Sequence, residues 1–184
     1  MMRFLLILAL FYIYSHADRD GGPYIGVGAG YSKVNVDGLY NTLKKDTSGS
    51  ATFYGGAYIN KYLSVELSYA SFDAWHVKKG YEIDDKSTLN FGALGVSTLA
   101  HYPFFDDSLD LYGRFGVAQM SLGGASALGF SYLVGAGMSY RLNDYVALKV
   151  AYDLYSFDYD KDGDEVADKS MQIEFIYSAI EVQF

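Results

Sequence analysis

From Pro23 onward one pattern repeats: runs of about ten residues in which bulky apolar side chains alternate with small or polar ones. A side-chain period of two belongs to a β-strand, and about ten residues cross a bilayer when the strand is tilted. Eight such runs can be read. The first puts Ile25, Val27, Ala29 and Tyr31 on one face, with Gly26, Gly28, Gly30 and Ser32 on the other. The second sets Phe53, Gly55, Ala57 and Ile59 on one face. The third sets Leu63, Val65, Leu67 and Tyr69 against Ser64, Glu66, Ser68 and Ala70. The fourth, roughly Thr88 to Ala100, has apolar residues on both faces, so its register stays open. The fifth sets Leu109, Leu111, Phe115 and Val117 against Asp110, Tyr112, Arg114 and Gly116. The sixth alternates Leu128, Phe130, Tyr132, Val134, Ala136, Met138 and Tyr140 with Gly129, Ser131, Gly135, Gly137 and Ser139. The seventh sets Val146, Leu148, Val150, Tyr152 and Leu154 against Ala147, Lys149, Ala151 and Asp153, and the eighth runs roughly from Met171 to Phe184.

Connections after odd-numbered runs are mostly long and charged, and those after even-numbered runs are short, as at Asn60-Lys61-Tyr62 and Asn143-Asp144. With an even count and a last run at the chain's end, this predicts an all-β fold: an eight-stranded antiparallel up-and-down transmembrane β-barrel. The bulky face then meets lipid, while Gly, Ser and charges face a crowded lumen. A soluble β-sandwich also alternates but turns its bulky face inward. A lipocalin-like barrel needs an apolar lining that a Gly-rich face does not offer.

Composition agrees. The chain is 51% apolar, with 19 Tyr and 12 Phe, yet its mean hydropathy is only +0.04, as two opposite faces would give. Cys is absent, which excludes a disulfide framework and Cys-ligated metals. The net charge of −8 argues against nucleic acid as a partner. Met1-Met2-Arg3, the apolar run Phe4 to Tyr14 and the small residues Ser15 and Ala17 read as a secretory signal peptide over residues 1–17, cut after Ala17. Residues 18–184 would then form the barrel domain.

Several segments carry a further likeness: Tyr102-Pro103 with Asp106-Asp107, the stretch Leu109 to Gly116, the Asn143-Asp144 turn leading to Lys149 and Tyr152, and Val65 to Tyr69. Together with the run pattern, this resembles the eight-stranded transmembrane domain of OmpA and the related small outer-membrane β-barrels. The resemblance implies a Gram-negative outer-membrane protein, structural and surface-exposed, in adhesion or envelope integrity, with a charged, largely plugged lumen. A narrow porin-like channel is the second reading and a lipid A-modifying enzyme the third. It also implies an ion-pair network across the lumen that can act as a gate, with Glu66 as carboxylate, Lys149 as basic partner and Arg114 nearby. Ser139 and Ala151 stand where the family tends to be acidic, which would thin that network. Ile180, Val182 and Phe184 resemble the C-terminal signal read by the outer-membrane assembly machinery. Expected partners are therefore that machinery, membrane lipids, lipopolysaccharide and an unidentified extracellular ligand.

Three more expectations come from the residues themselves. Tyr24, Tyr62, Phe72, Trp75, Tyr145 and Tyr155 lie near the rims and are expected as interfacial anchors. Asp158, Asp160, Asp162, Asp164 and Asp168 surround Gly163 and resemble the thrombospondin type-3 calcium repeat; a plain acidic loop with no cofactor is the first reading and a Ca2+ site the second. Glu165 replaces that repeat's usual Gly, and Lys169 stands where an EF-hand has its bidentate Glu. Of three histidines, His16 leaves with the signal peptide, His76 lies in a loop near Asp73, and His101 at a short turn. None is placed beside a strand Ser, so no enzymatic activity is expected.

Overall fold

The computed structural model describes residues 21–36, 47–76, 88–105, 107–122, 126–159 and 169–184. Eight strands follow in chain order: β1 (Gly22–Val36), β2 (Thr47–Asn60), β3 (Leu63–His76), β4 (Thr88–Phe104), β5 (Leu109–Leu122), β6 (Ser126–Arg141), β7 (Val146–Tyr159) and β8 (Lys169–Gln183). Each pairs antiparallel with the next, and β8 closes on β1 with Val182 opposite Ile25 and Ile180 opposite Val27. Closure leaves no unpaired sheet edge, the condition for strands in hydrocarbon. The strands run longer than the sequence pattern suggests. β3 continues through Trp75 and His76, and β7 includes Asp158.

The β2–β3, β4–β5 and β6–β7 connections gather at one end of the barrel and are set by local chemistry. Asn60 Oδ1 accepts from the Tyr62 N–H at 2.8 Å, and Asn143 Oδ1 accepts from the N–H groups of Tyr145 and Val146, both at 2.9 Å. These side chains replace ladder bonds where the chain reverses. The β4–β5 turn places Phe105 and Asp107 at positive φ, with the Ser108 N–H donating to the Phe105 carbonyl. In barrels of this kind such tight turns face the periplasm and the long connections face outward.

The alternation resolves into two faces. Ile25, Val27, Phe53, Leu67, Leu94, Val96, Phe115, Val134, Val150 and Ile180 point out and are exposed. The open register of β4 closes: Leu94, Val96 and Thr98 face out, while Ala93, Gly95, Ser97, Leu99 and His101 face in. Two glycines allow strands to draw together. A Cβ at Gly30 would meet the Ile176 carbonyl oxygen, and one at Gly116 the Val96 carbonyl oxygen.

One expectation about the interior is corrected. Besides Tyr112, which the alternation already turns inward, Tyr24, Tyr54, Tyr58, Phe72, Phe91, Tyr155, Phe157, Phe175 and Tyr177 point into the lumen and are buried, so it holds more than Gly, Ser and charges. A narrow barrel has to be filled, and ring-sized side chains fill it beside the glycines.

The outer face supplies a test. Val96 sits mid-strand in β4 and faces out. Val96→Arg is expected to destabilise the lipid-refolded barrel by about 2–4 kcal/mol, the depth-dependent cost of Arg at the bilayer midplane. The readout is urea unfolding in vesicles, and a change within about 0.5 kcal/mol, as for an ordinary solvated position, would remove the lipid-facing assignment.

Candidate functional site

The inward side chains stack in three layers. At the end with the tight turns, His101 on β4 lies between two rings, with centroids 5.2 Å from Tyr58 and 5.7 Å from Tyr112. Its Nδ1 is 2.6 Å from Asp110 Oδ2, and its Nε2 is 2.8 Å from Ser64 Oγ. Ser64 Oγ is in turn 3.3 Å from the Tyr24 hydroxyl, which donates to Glu66 Oε2 at 3.2 Å.

Glu66 opens the second layer, an ionic one. Arg114 spreads its guanidinium over four partners: Glu66 Oε1 at 2.8 Å, Asp153 Oδ2 at 2.7 Å, Ser68 Oγ at 2.8 Å and Ser97 Oγ at 2.9 Å. Tyr177 also donates to Asp153 Oδ2, at 3.2 Å. Lys149 pairs with Glu181 Oε2 at 2.7 Å and lies 3.9 Å from Glu66 Oε2. Its ammonium also sits over three rings, 4.8 Å from Tyr54, 5.0 Å from Tyr112 and 5.4 Å from Tyr24. A tyrosine cage and a carboxylate together compensate a desolvated ammonium. Glu181 is held from the other side by the Tyr58 hydroxyl at 3.1 Å.

The third layer, toward the long connections, is apolar. Phe72 meets Tyr155 at 5.3 Å and Phe175 at 5.6 Å, both edge to face, and Phe175 stacks on Tyr177 at 4.6 Å. Leu133, Met120, Ile173, Met171, Phe91 and Phe157 are buried with them. This half of the lumen is packed like the core of a soluble domain.

Glu66, Arg114 and Lys149 thus lie together, with partners assigned differently from the sequence expectation. Arg114 makes the tight pair with Glu66, and Lys149 pairs first with Glu181. Ser139 and Ala151 do face the interior, but Asp110, Asp153 and Glu181 add carboxylates. Glu181 went unread, although parity with the outward Ile180 and Val182 marks it as inward.

The anchors divide. Tyr62 and Tyr145 are exposed at the turn end, as an anchor requires. Tyr24, Phe72 and Tyr155 are not anchors: each is almost fully buried in the lumen, because each shares strand parity with the inward residues. The Trp75 side chain lies outside what is described. Exposed aromatics outside the expected anchor set include Tyr31, Tyr69, Tyr102, Tyr132 and Tyr140. In the expected calcium set, Asp158 is exposed at the end of β7, and Asp160, Asp162, Asp164 and Asp168 lie outside the described residues. Ile180 faces out, and the Phe184 N–H donates to the Pro23 carbonyl at 2.9 Å, tying the last residue to β1. His101 corrects another expectation. It belongs to a strand, is buried, and does stand beside a strand serine.

An apolar belt outside a closed barrel, with a filled and ion-paired interior, defines a transmembrane β-barrel of the outer-membrane type. The chain matches the family model of the outer membrane protein beta-barrel domain over residues 4–178, and it belongs to that family. No curated protein sequence matches it. Similar solved structures include Neisserial surface protein A, at 17% identity over 89% of this chain and 97% of that one, with a TM-score of 0.59. OprG from Pseudomonas aeruginosa is 14% identical over 91% and 98%, with a TM-score of 0.54. Ail, the attachment invasion locus protein of Yersinia pestis, in complex with the heparin analogue sucrose octasulfate, is 16% identical over 88% and 99%, with a TM-score of 0.51. At such identities the likeness is one of fold. Membership of the outer membrane protein beta-barrel family puts the protein in the outer membrane.

Proposed function

We propose that this protein is a structural, surface-exposed barrel, acting in adhesion or envelope integrity, whose lumen is plugged. The observation that carries this reading is the filled interior. Across the lumen Tyr24, Glu66, Arg114, Lys149 and Asp153 are each at most 4% exposed, and Phe72 and Phe175 close the level beyond them. An ion-pair gate in the second layer opens nothing by itself, because exchanging the partners of Lys149 leaves the apolar layer in place. That argument favours the plug over the narrow channel.

Function then falls to the segments between strands, 37–46, 77–87, 123–125 and 160–168, since a rigid barrel leaves recognition to its connections. Charge narrows the partner. Residues 158–168 carry Asp158, Asp160, Asp162, Asp164, Glu165 and Asp168 against Lys161 alone. A polyanion like the one bound by Ail is thereby disfavoured, and a cationic surface or a calcium-bridged ligand is favoured. Lipids and lipopolysaccharide surround the belt in this reading, and the assembly machinery reads Ile180, Val182 and Phe184. An epitope inserted within residues 77–87 should be detected by antibody on intact cells. Detection only after the cells are permeabilised would overturn surface display.

A further inference from the structure

The first layer of the lumen contains a constellation that a plug alone does not need. Ser64 on β3, His101 on β4 and Asp110 on β5 sit on three consecutive strands of a rigid sheet. Asp110 Oδ2 is 2.6 Å from His101 Nδ1, and His101 Nε2 is 2.8 Å from Ser64 Oγ. A carboxylate accepts only, so Nδ1 carries the proton toward Asp110. The Nε2 lone pair is then left to accept from the Ser64 hydroxyl. This is the nucleophile, base and orienting acid order of acyl-transfer sites on unrelated folds. The fourth element such a site needs is a donor for the oxyanion. Strand N–H groups are spent in the ladders, but the Tyr24 hydroxyl stands 3.3 Å from Ser64 Oγ.

We propose that Ser64 is an activated nucleophile for small acyl esters, served by His101 and Asp110 and covered by Tyr58. In the step itself, Ser64 Oγ attacks the ester carbonyl carbon while its proton passes to His101 Nε2. The carbon–oxygen bond to the alcohol breaks, and the leaving alkoxide takes that proton. Water repeats the sequence on the acyl-serine and releases the acid. Tyr24 turns its hydroxyl from Glu66 to the tetrahedral oxygen.

Access comes from the tight-turn end. Ser64 is 0% exposed, so the nucleophile is latent in the closed form. A small cavity opens at that mouth, walled by Tyr58, Arg141, Asp144, Tyr145, Glu181 and Gln183. Tyr58 thus borders both this cavity and His101, and its hydroxyl donates to Glu181 at 3.1 Å. Swinging that ring aside joins the cavity to Ser64. The inference is independent of the surface role, since nothing in it involves the outward segments.

The test uses a short-chain fluorophosphonate, which a serine attacks at phosphorus with loss of fluoride. The full barrel is refolded in detergent, its folding is checked by gel mobility without boiling, and the adduct is located by mass spectrometry. Labelling at Ser64 is expected in the wild-type protein, at least about tenfold faster in Tyr58→Ala. It should vanish in Ser64→Ala and His101→Ala, and slow at least about tenfold in Asp110→Asn, which spoils the tautomer. Should Tyr58→Ala not fold, Tyr58→Phe removes the tether and keeps the ring. No adduct on Ser64 in any folded form, wild-type or Tyr58 variant, would overturn the proposal and leave the three residues as a structural lock.

Discussion

Replacing Arg114 by Ala is expected to lower the stability of the refolded barrel by about 3–5 kcal/mol, the usual cost of removing one partner from a buried ion pair. The reason is what stays behind. Glu66 and Asp153 lose their closest basic partner while buried, and Ser68 and Ser97 each lose a donor. Urea unfolding in lipid vesicles, followed by the mobility of the unboiled protein, reads the change. A companion variant isolates the cause. Arg114→Met combined with Glu66→Gln and Asp153→Asn removes the stranded charges, and it should recover more than half of the loss. A change below about 1 kcal/mol in the single variant, the range of exposed pairs, would mean that the layer is solvated.

Phe175→Ala is expected to cost as much, about 3–5 kcal/mol, for a different reason. Phe175 is wholly buried, stacked on Tyr177 and set edge to face against Phe72. Its loss leaves a cavity in the apolar layer, and a closed sheet of eight strands has little freedom to collapse around it. The same urea titration measures it. The outcome separates two accounts of the lumen: an aqueous upper half would tolerate the exchange within about 0.5 kcal/mol, as solvated positions do. The two substitutions should also add only in part, because Arg114 and Phe175 are linked through Asp153 and Tyr177.

Strand number, antiparallel order and the outward set were legible in the sequence, because a lipid-facing surface favours bulky apolar side chains at every second position. What the sequence hid lies inside. In β4 the contrast between faces vanishes, since the apolar Phe91, Ala93 and Leu99 point inward as well. Tyr24, Phe72 and Tyr155 were read as anchors from their residue type and rim position. Their parity with Gly26, Ala70 and Asp153 already placed them inward. Glu66, Arg114 and Lys149 were legible as inward charges. Which of them pair was not, because pairing across a barrel depends on stagger between strands that are not neighbours in sequence. The contact of Ser64 with His101 needed the β3–β4 register, which sets Ser64 opposite Leu99 and makes His101, the next inward residue of β4, its diagonal neighbour.

The most direct test of the plugged barrel is the conductance of the refolded full chain in a planar lipid bilayer. Both the wild-type protein and Lys149→Ala should insert without a steady current, because the layer of Phe72, Tyr155 and Phe175 closes the lumen whatever the ion pairs do. A steady conductance in the wild-type protein, or one that appears when Lys149 is removed, would contradict the plug and make the ionic layer a gate.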